Sequence, residues 1–183
     1  GINYEGRPET WHPAGTLGSE SRLGSQIIGA MGKIDKFSTL NSDIEIIRYS
    51  LSTGEEVPVL ATWDGGAFQM FMPNLFVDES SEPVMGMLLK NYMRVMQDQA
   101  KNGIIAAHSA CETITGYNGL QGIAALAQNS EALPSSPKYA EWQANITPHA
   151  LFLAGTVDTN FAFENLGKFK DAYPKIYTGG VGY

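Results

Sequence analysis

Hydrophobic positions along this chain recur mostly at helical spacing, interrupted once by strict alternation. Wound at about 100° per residue, the stretch LGSESRLGSQIIGAM over 17–31 gathers Leu17, Leu23, Ile27, Ile28 and Met31 on one face. Arg22, Ser25, Gln26 and Gly29 take the other side, so the pattern predicts an amphipathic helix with its apolar face inward and its Arg22 face in solvent. Glu20 falls at the centre of the apolar stripe. A carboxylate there is costly unless something pairs with it or uses it.

From Asp43 the period changes. Ile44, Ile46 and Arg48 alternate with Glu45, Ile47 and Tyr49, a Ser52-Thr53-Gly54-Glu55 turn follows, and Val57, Val59 and Ala61 run back, which predicts a β-hairpin near 43–62. The next run, DGGAFQMFMPNLFV from Asp64 to Val77, is apolar at helical intervals and expected to be buried on most sides, with Pro73 kinking or ending it. A longer helix is predicted from about Glu82 to Asn102. In it Val84, Met85, Leu88, Leu89, Tyr92, Val95 and Met96 share one half of the wheel, Pro83 suits the first turn and Gly103 the stop. IIAAHSACET shows no readable period, a helix is predicted over about 119–128, and NSEALPSSPK at 129–138 is a surface loop. Thr147 and Pro148 form a cap and first position for HALFLAGTV. Asp158 or Thr159 caps a further helix that Pro174 ends, with Phe161, Leu166, Phe169 and Ala172 inward. The opening GINYEGRPETWHPAG has no period. Helix after helix with one inserted hairpin defines a mainly α class built from stacked helical hairpins.

Composition narrows the partners. A chain of 183 residues is one domain or part of one, and 12 basic against 19 acidic residues give a formal charge of −7. That balance argues against a nucleic-acid backbone or an anionic membrane as partner. No run approaches the roughly 20 apolar residues of a membrane span, and the first residues lack the basic start and apolar core of a signal peptide. The single cysteine, Cys111, rules out a disulfide framework within the chain. His12, His108 and His149 lack metal-ligand spacing, so no metal is expected, and Cys111 near His108 reads as a small buried thiol rather than a nucleophile. The glycines of WDGGAF and YTGGVGY match no phosphate-binding pattern, and no cofactor is implied.

The words GSESRLGSQIIGAMGK, TWDGGAFQMFMPNLFVDE, AAHSACETITGYNG, ITPHALFLAGTVDTNFAFENL and YPKIY, in that order, resemble the glucoamylase-like glycoside hydrolase domain. This is the domain of bacterial β-1,2-glucan-active enzymes and the cyclisation domain of cyclic β-1,2-glucan synthases; the resemblance runs from about Gly15 to Tyr177. It implies an (α/α)6 toroid with a sugar cleft at one end of its axis. A toroid needs roughly twice the helices counted here, so residues 1–183 are either a single domain or the C-terminal part of one. The N-terminal half of that domain is then a candidate partner, and a periplasmic or secreted location is favoured. The resemblance also implies a carboxylate pair, carried over to Glu20 in GSESRL and Glu112 in HSACET. Relatives often carry a glutamate where this chain has Gln69.

Glycoside cleavage needs one carboxylic acid to protonate the leaving oxygen and one ionised carboxylate as nucleophile or base. Sugars offer an apolar face and a rim of hydroxyls, which makes Trp63, Asp64, Gln69, His108, Tyr117 and Trp11 the candidates for contacting a glycan. Phe68 reads as core, Asp64 has the alternative role of helix N-cap, and His149 reads as structural. The expectation is a glycoside hydrolase or transglycosylase acting on a β-1,2-glucan or related oligosaccharide. The alternative is a non-catalytic carbohydrate-binding or scaffold protein on the same helical frame.

Overall fold

A computed structural model describes residues 18–32, 46–100, 103–109, 111–113, 116–118, 122–128 and 147–174. The predicted lead-in, Leu17, Trp11 and the loop at 129–138 lie outside them. The described part is partly helical with small antiparallel hairpins, and a closed toroid is not displayed by it.

Alternation gives the hairpin where the sequence predicts it. Strands β1 (Ile46–Ser50) and β2 (Glu56–Leu60) pair antiparallel, Ile46 opposite Leu60 and Ser50 opposite Glu56. The turn closes through Leu51 N–H to Glu55 O at 2.9 Å and Gly54 N–H to Leu51 O at 2.8 Å. Val57, Val59 and Leu60 are buried, and the chain turns from strand to helix through Ala61–Gly66.

Helix α1 covers Arg22–Ala30, α2 covers Ala67–Phe71, and α3 covers Pro83–Asp98 with Pro83 in its first turn. Leu88, Leu89, Tyr92, Val95 and Met96 of α3 are buried against β2 and α2, as their spacing predicts, although Val84 at its start is exposed. The ring of Tyr92 meets Phe71 edge-on at 5.2 Å. Pro73 does end α2: a 3-10 turn, Met72–Leu75, follows directly. The expectation of burial on most sides is overturned at Phe68, Leu75 and Phe76, which are exposed: α2 has only five residues, and the tighter 3-10 turn after it changes the period before Leu75 and Phe76. Strands β3 (Cys111–Thr113) and β4 (Gly116–Asn118) make a second small hairpin.

The helix expected over 119–128 is a correction. Its described part holds only a 3-10 turn, Ala124–Leu126, because its backbone bonds elsewhere. Leu126 O accepts the Thr62 N–H at 3.0 Å, and Gln128 N–H donates to Thr62 O at 2.9 Å. Helices α4 (Pro148–Ala154) and α5 (Thr159–Ala172) begin where predicted. Asp158, rather than Thr159, is the cap, its carboxylate accepting the Phe161 N–H at 3.0 Å. Thr147 stands at the cap position but spends its hydroxyl on Ala107 O at 3.0 Å. Phe161 and Phe169 are buried and Leu166 half-buried, whereas Ala172 in the last turn is exposed.

Gly65 is one of the tight points of this core. Its φ is +75°, and an added Cβ would lie 2.0 Å from Ile123 O, a backbone atom that cannot step aside. Gly65 O in turn accepts the Tyr92 hydroxyl at 2.6 Å and the Ile123 N–H at 2.9 Å. Gly65→Ala therefore combines a left-handed backbone with a steric clash and is expected to lower stability by at least ~2 kcal/mol in a urea titration. At the hairpin turn, Asp98 accepts the Ser52 N–H at 2.7 Å and the Tyr49 hydroxyl at 3.0 Å. Hydrogen bonds from Ser52, side chain and backbone, with Tyr49 adding, hold its carboxyl below the usual aspartate range. That contribution is present above the unfolded-state value of about 3.9 and is lost as pH falls through the lower folded value. The deficit of Asp98→Asn in a urea midpoint is accordingly expected at pH 7 and should close below about pH 4.

Candidate functional site

Glu20 lies in the turn that leads into α1, not within the helix itself. Gly18 seats this turn on the chain beyond β2: an added Cβ at Gly18 would lie 1.8 Å from Ala61 O, so only glycine lets the two backbones touch. The turn is closed by Arg22 N–H to Ser19 O at 3.2 Å and Leu23 N–H to Glu20 O at 3.1 Å. Glu20 is half-buried, and its Oε2 accepts the Ser19 hydroxyl at 3.3 Å.

The facing of α1 is the largest departure from the sequence reading. Arg22 is 2% exposed, whereas Ile27, Ile28 and Met31 are 45%, 43% and 63% exposed. The period identified which residues share a side and assigned the wrong side to the interior. A partner 57 positions away decides it: Arg22 Nε and Nη2 each donate to the Glu79 carboxylate at 2.8 Å, and Glu79 is itself 1% exposed. Gln26, one turn along, donates to the same carboxylate at 2.6 Å. The remaining guanidinium N–H groups reach backbone carbonyls, Nη1 to Ser19 O at 3.1 Å and Gln69 O at 2.7 Å, Nη2 to Met70 O at 2.6 Å. Pro73 explains one of these. It has no N–H to give the Gln69 carbonyl four residues before it, and Arg22 supplies the donor.

Trp63 is 54% exposed and Phe68 40% exposed, so two aromatic rings face outward from the segment that joins β2 to α2. Gln69 Oε1 accepts the Trp63 N–H at 2.8 Å. Asp64 is 2% exposed and bonds inside its own turn, Oδ1 accepting the Gly66 N–H at 2.8 Å. It is not the α2 N-cap, a position that Gly66 holds. Burial first, and then the charge of Asp64, push the Tyr92 phenol well above its ordinary range. His108 is 9% exposed; its carbonyl accepts the Ala67 N–H at 3.0 Å, and the neighbouring Ser109 hydroxyl accepts the Phe68 N–H at 3.1 Å. Glu20's turn, Trp63, Asp64, Gln69 and His108 thus belong to three chain segments bonded to one another. Glu112 and Tyr117 stand opposite each other in the β3–β4 ladder, which begins just after Ser109. His149 is half-buried, and burial lowers its imidazole pKa, in keeping with a structural role.

Arg22 and Glu79 are the site-building residues that the sequence reading missed. The available signal was the Arg22–Gln26 pair at helical spacing, which a purely apolar criterion places in solvent. A separate cleft of about 290 Å³ opens between α4 and α5, with Phe152, Phe163 and Leu166 among its walls. It carries no acid or base. Among the described residues no three His, Cys, Asp or Glu side chains are grouped to hold a metal ion, and no helix is long and apolar enough to cross a membrane. Comparison of the chain with protein-family models, with curated proteins and with solved structures gives no match.

Removing one partner of a buried ion pair leaves the other charged and unpaired, so Arg22→Met is expected to cost about 3–5 kcal/mol. The double variant Arg22→Met with Glu79→Leu removes both charges and should recover part of that loss in the same urea titration, the remainder reflecting the Ser19, Gln69 and Met70 carbonyls left without the Arg22 donor.

Proposed function

We propose that this chain is a carbohydrate-active enzyme that hydrolyses or transglycosylates a glucan of the β-1,2 type or a related oligosaccharide. Glu20 and Glu112 are its carboxylate pair, on a glucoamylase-like (α/α)6 frame of which this chain forms all or the C-terminal half. One observation carries the reading. The turn bearing a half-buried carboxylate, Glu20, is bonded through Arg22, and packed at Gly18, against the segment that presents the outward indole of Trp63.

An acid on a turn tied to the segment that bears an aromatic platform suits glycan chemistry. The indole can cover the apolar face of a sugar ring, and Gln69, bonded to the Trp63 backbone, offers a polar edge. In this reading one glutamate protonates the glycosidic oxygen. The other, ionised, either attacks the anomeric carbon or takes a proton from a water that does. Asp64, being buried, shapes the turn beside Trp63.

A second reading has its own observation. Gln69, where the resembled relatives often carry an acid, has its amide oxygen engaged by the Trp63 N–H, which suits a protein that binds glycan without turning it over. Linear β-1,2-glucan separates the two. Release of reducing ends or rearranged products is expected from the wild type, and Glu20→Gln and Glu112→Gln should each reduce the rate at least ~100-fold. Binding without products favours the second reading, and full turnover in either variant removes that glutamate from the pair.

A further inference from the structure

We propose that Arg22 is a positioning residue that sets the spacing between Glu20 and Trp63, an inference that rests on the glycan-cleaving reading of the site. One guanidinium nitrogen joins the two segments. Its Nη1 donates both to Ser19 O, in the turn that carries Glu20, and to Gln69 O, in the helix whose side chain holds the Trp63 N–H. The path from the acid to the aromatic platform therefore runs Glu20 turn, Arg22, Gln69, Trp63, with donor to acceptor distances of 3.1, 2.7 and 2.8 Å.

The rest of the guanidinium is fixed so that Nη1 has no freedom. Nε and Nη2 form the two-pronged contact with Glu79, Nη2 also holds Met70 O, and Gln26 holds Glu79 from the other side. A planar fork locked on one edge by a carboxylate keeps its other edge aimed, which a lysine ammonium at the end of a flexible stem cannot reproduce. Stability alone does not call for this arrangement, because a well-packed apolar pair of similar volume is often as stable as a buried ion pair. What an apolar pair lacks is any donor for Ser19 O and Gln69 O. Active sites lose rate steeply when a reacting group is displaced by a fraction of its contact distance.

Two variants and two readouts test it on the full chain. The first variant is the double substitution Arg22→Met with Glu79→Leu, and the second is Arg22→Lys, which keeps the charge and loses the fork. The first readout is hydrogen exchange at individual amides. Protection of the Trp63 N–H is expected to fall at least ~10-fold in both variants, whereas the Ala67 N–H, bonded to His108 O, keeps its wild-type protection. The second is turnover of linear β-1,2-glucan, where kcat should fall at least ~10-fold with KM nearly unchanged, the pattern of an interaction that matters in the transition state.

Unchanged protection at Trp63 in either variant overturns the proposal, and so does equal loss at Trp63 and Ala67, which marks a merely structural pair. A wild type that turns over no glucan, with the selective loss at Trp63 still present, overturns the enzymatic reading and leaves the clamp standing. An active wild type whose kcat survives both substitutions overturns the clamp and leaves the enzyme.

Discussion

The buried contact between Arg22 and Glu79 constrains more of this molecule than any other single interaction. Withdrawing a guanidinium and a carboxylate from water costs several kcal/mol for each ion, and the cost is recovered only where the geometry is close and every remaining donor is used. Here Nε and both terminal nitrogens are spent on one carboxylate and three backbone carbonyls. The consequence is visible on α1. Turned the other way, the helix would bury Ile27, Ile28 and Met31, each offering about 1.5–3 kcal/mol on full burial. It would also strand Glu79 without its cation. The polar side is therefore the inward one, and the aliphatic stripe meets solvent.

The second constraint is backbone packed directly on backbone. Between β2 and α2 the chain is stitched on several sides: Thr62 to Leu126 and Gln128, Gly65 to Ile123 and Tyr92, Ala67 to His108. Contacts this close leave no room for side chains at Gly18 or Gly65. A segment held through its own peptide groups keeps its side chains free for other uses. Trp63 and Phe68 illustrate the result, with amides hydrogen-bonded to the Gln69 and Ser109 side chains and rings exposed. Rigid backbone beneath an outward aromatic is how a binding surface avoids the entropy of ordering itself when a ligand arrives.

Much of this was legible in the sequence, and what was not has a common cause. The hairpin, α3, the Pro73 break and the starts of α4 and α5 follow from short-range rules of alternation, helical period, caps and proline. Each of those rules operates within a few residues. The facing of α1 does not, because Glu79 lies 57 positions from Arg22, and the Arg22–Gln26 pair at helical spacing does not say which residue it would meet. The segment ending at Gln128 failed for the same reason. Ile123, Ala124 and Leu126 have helical spacing, yet their backbone is claimed by Thr62 and Gly65 from a distant part of the chain. For the candidate site, the sequence named Glu20, Trp63, Asp64, Gln69 and His108. It did not contain the bonds that bring their segments together, nor the burial that gives Asp64 a turn to hold.

Gln69 connects these themes. Its carbonyl is orphaned by Pro73 and rescued by Arg22, while its side-chain oxygen accepts the Trp63 N–H. A glutamate could accept the same N–H, but it would bring a negative charge to the end of α2, where unpaired carbonyls already gather negative potential. An amide gives the acceptor without the charge. Neutrality also suits the neighbourhood, because the Arg22 guanidinium that reaches the residue 69 carbonyl is already matched by the Glu79 carboxylate, and a second acid would compete for it. Residue 69 is thus part of the frame that joins the Arg22 contact to the Trp63 backbone.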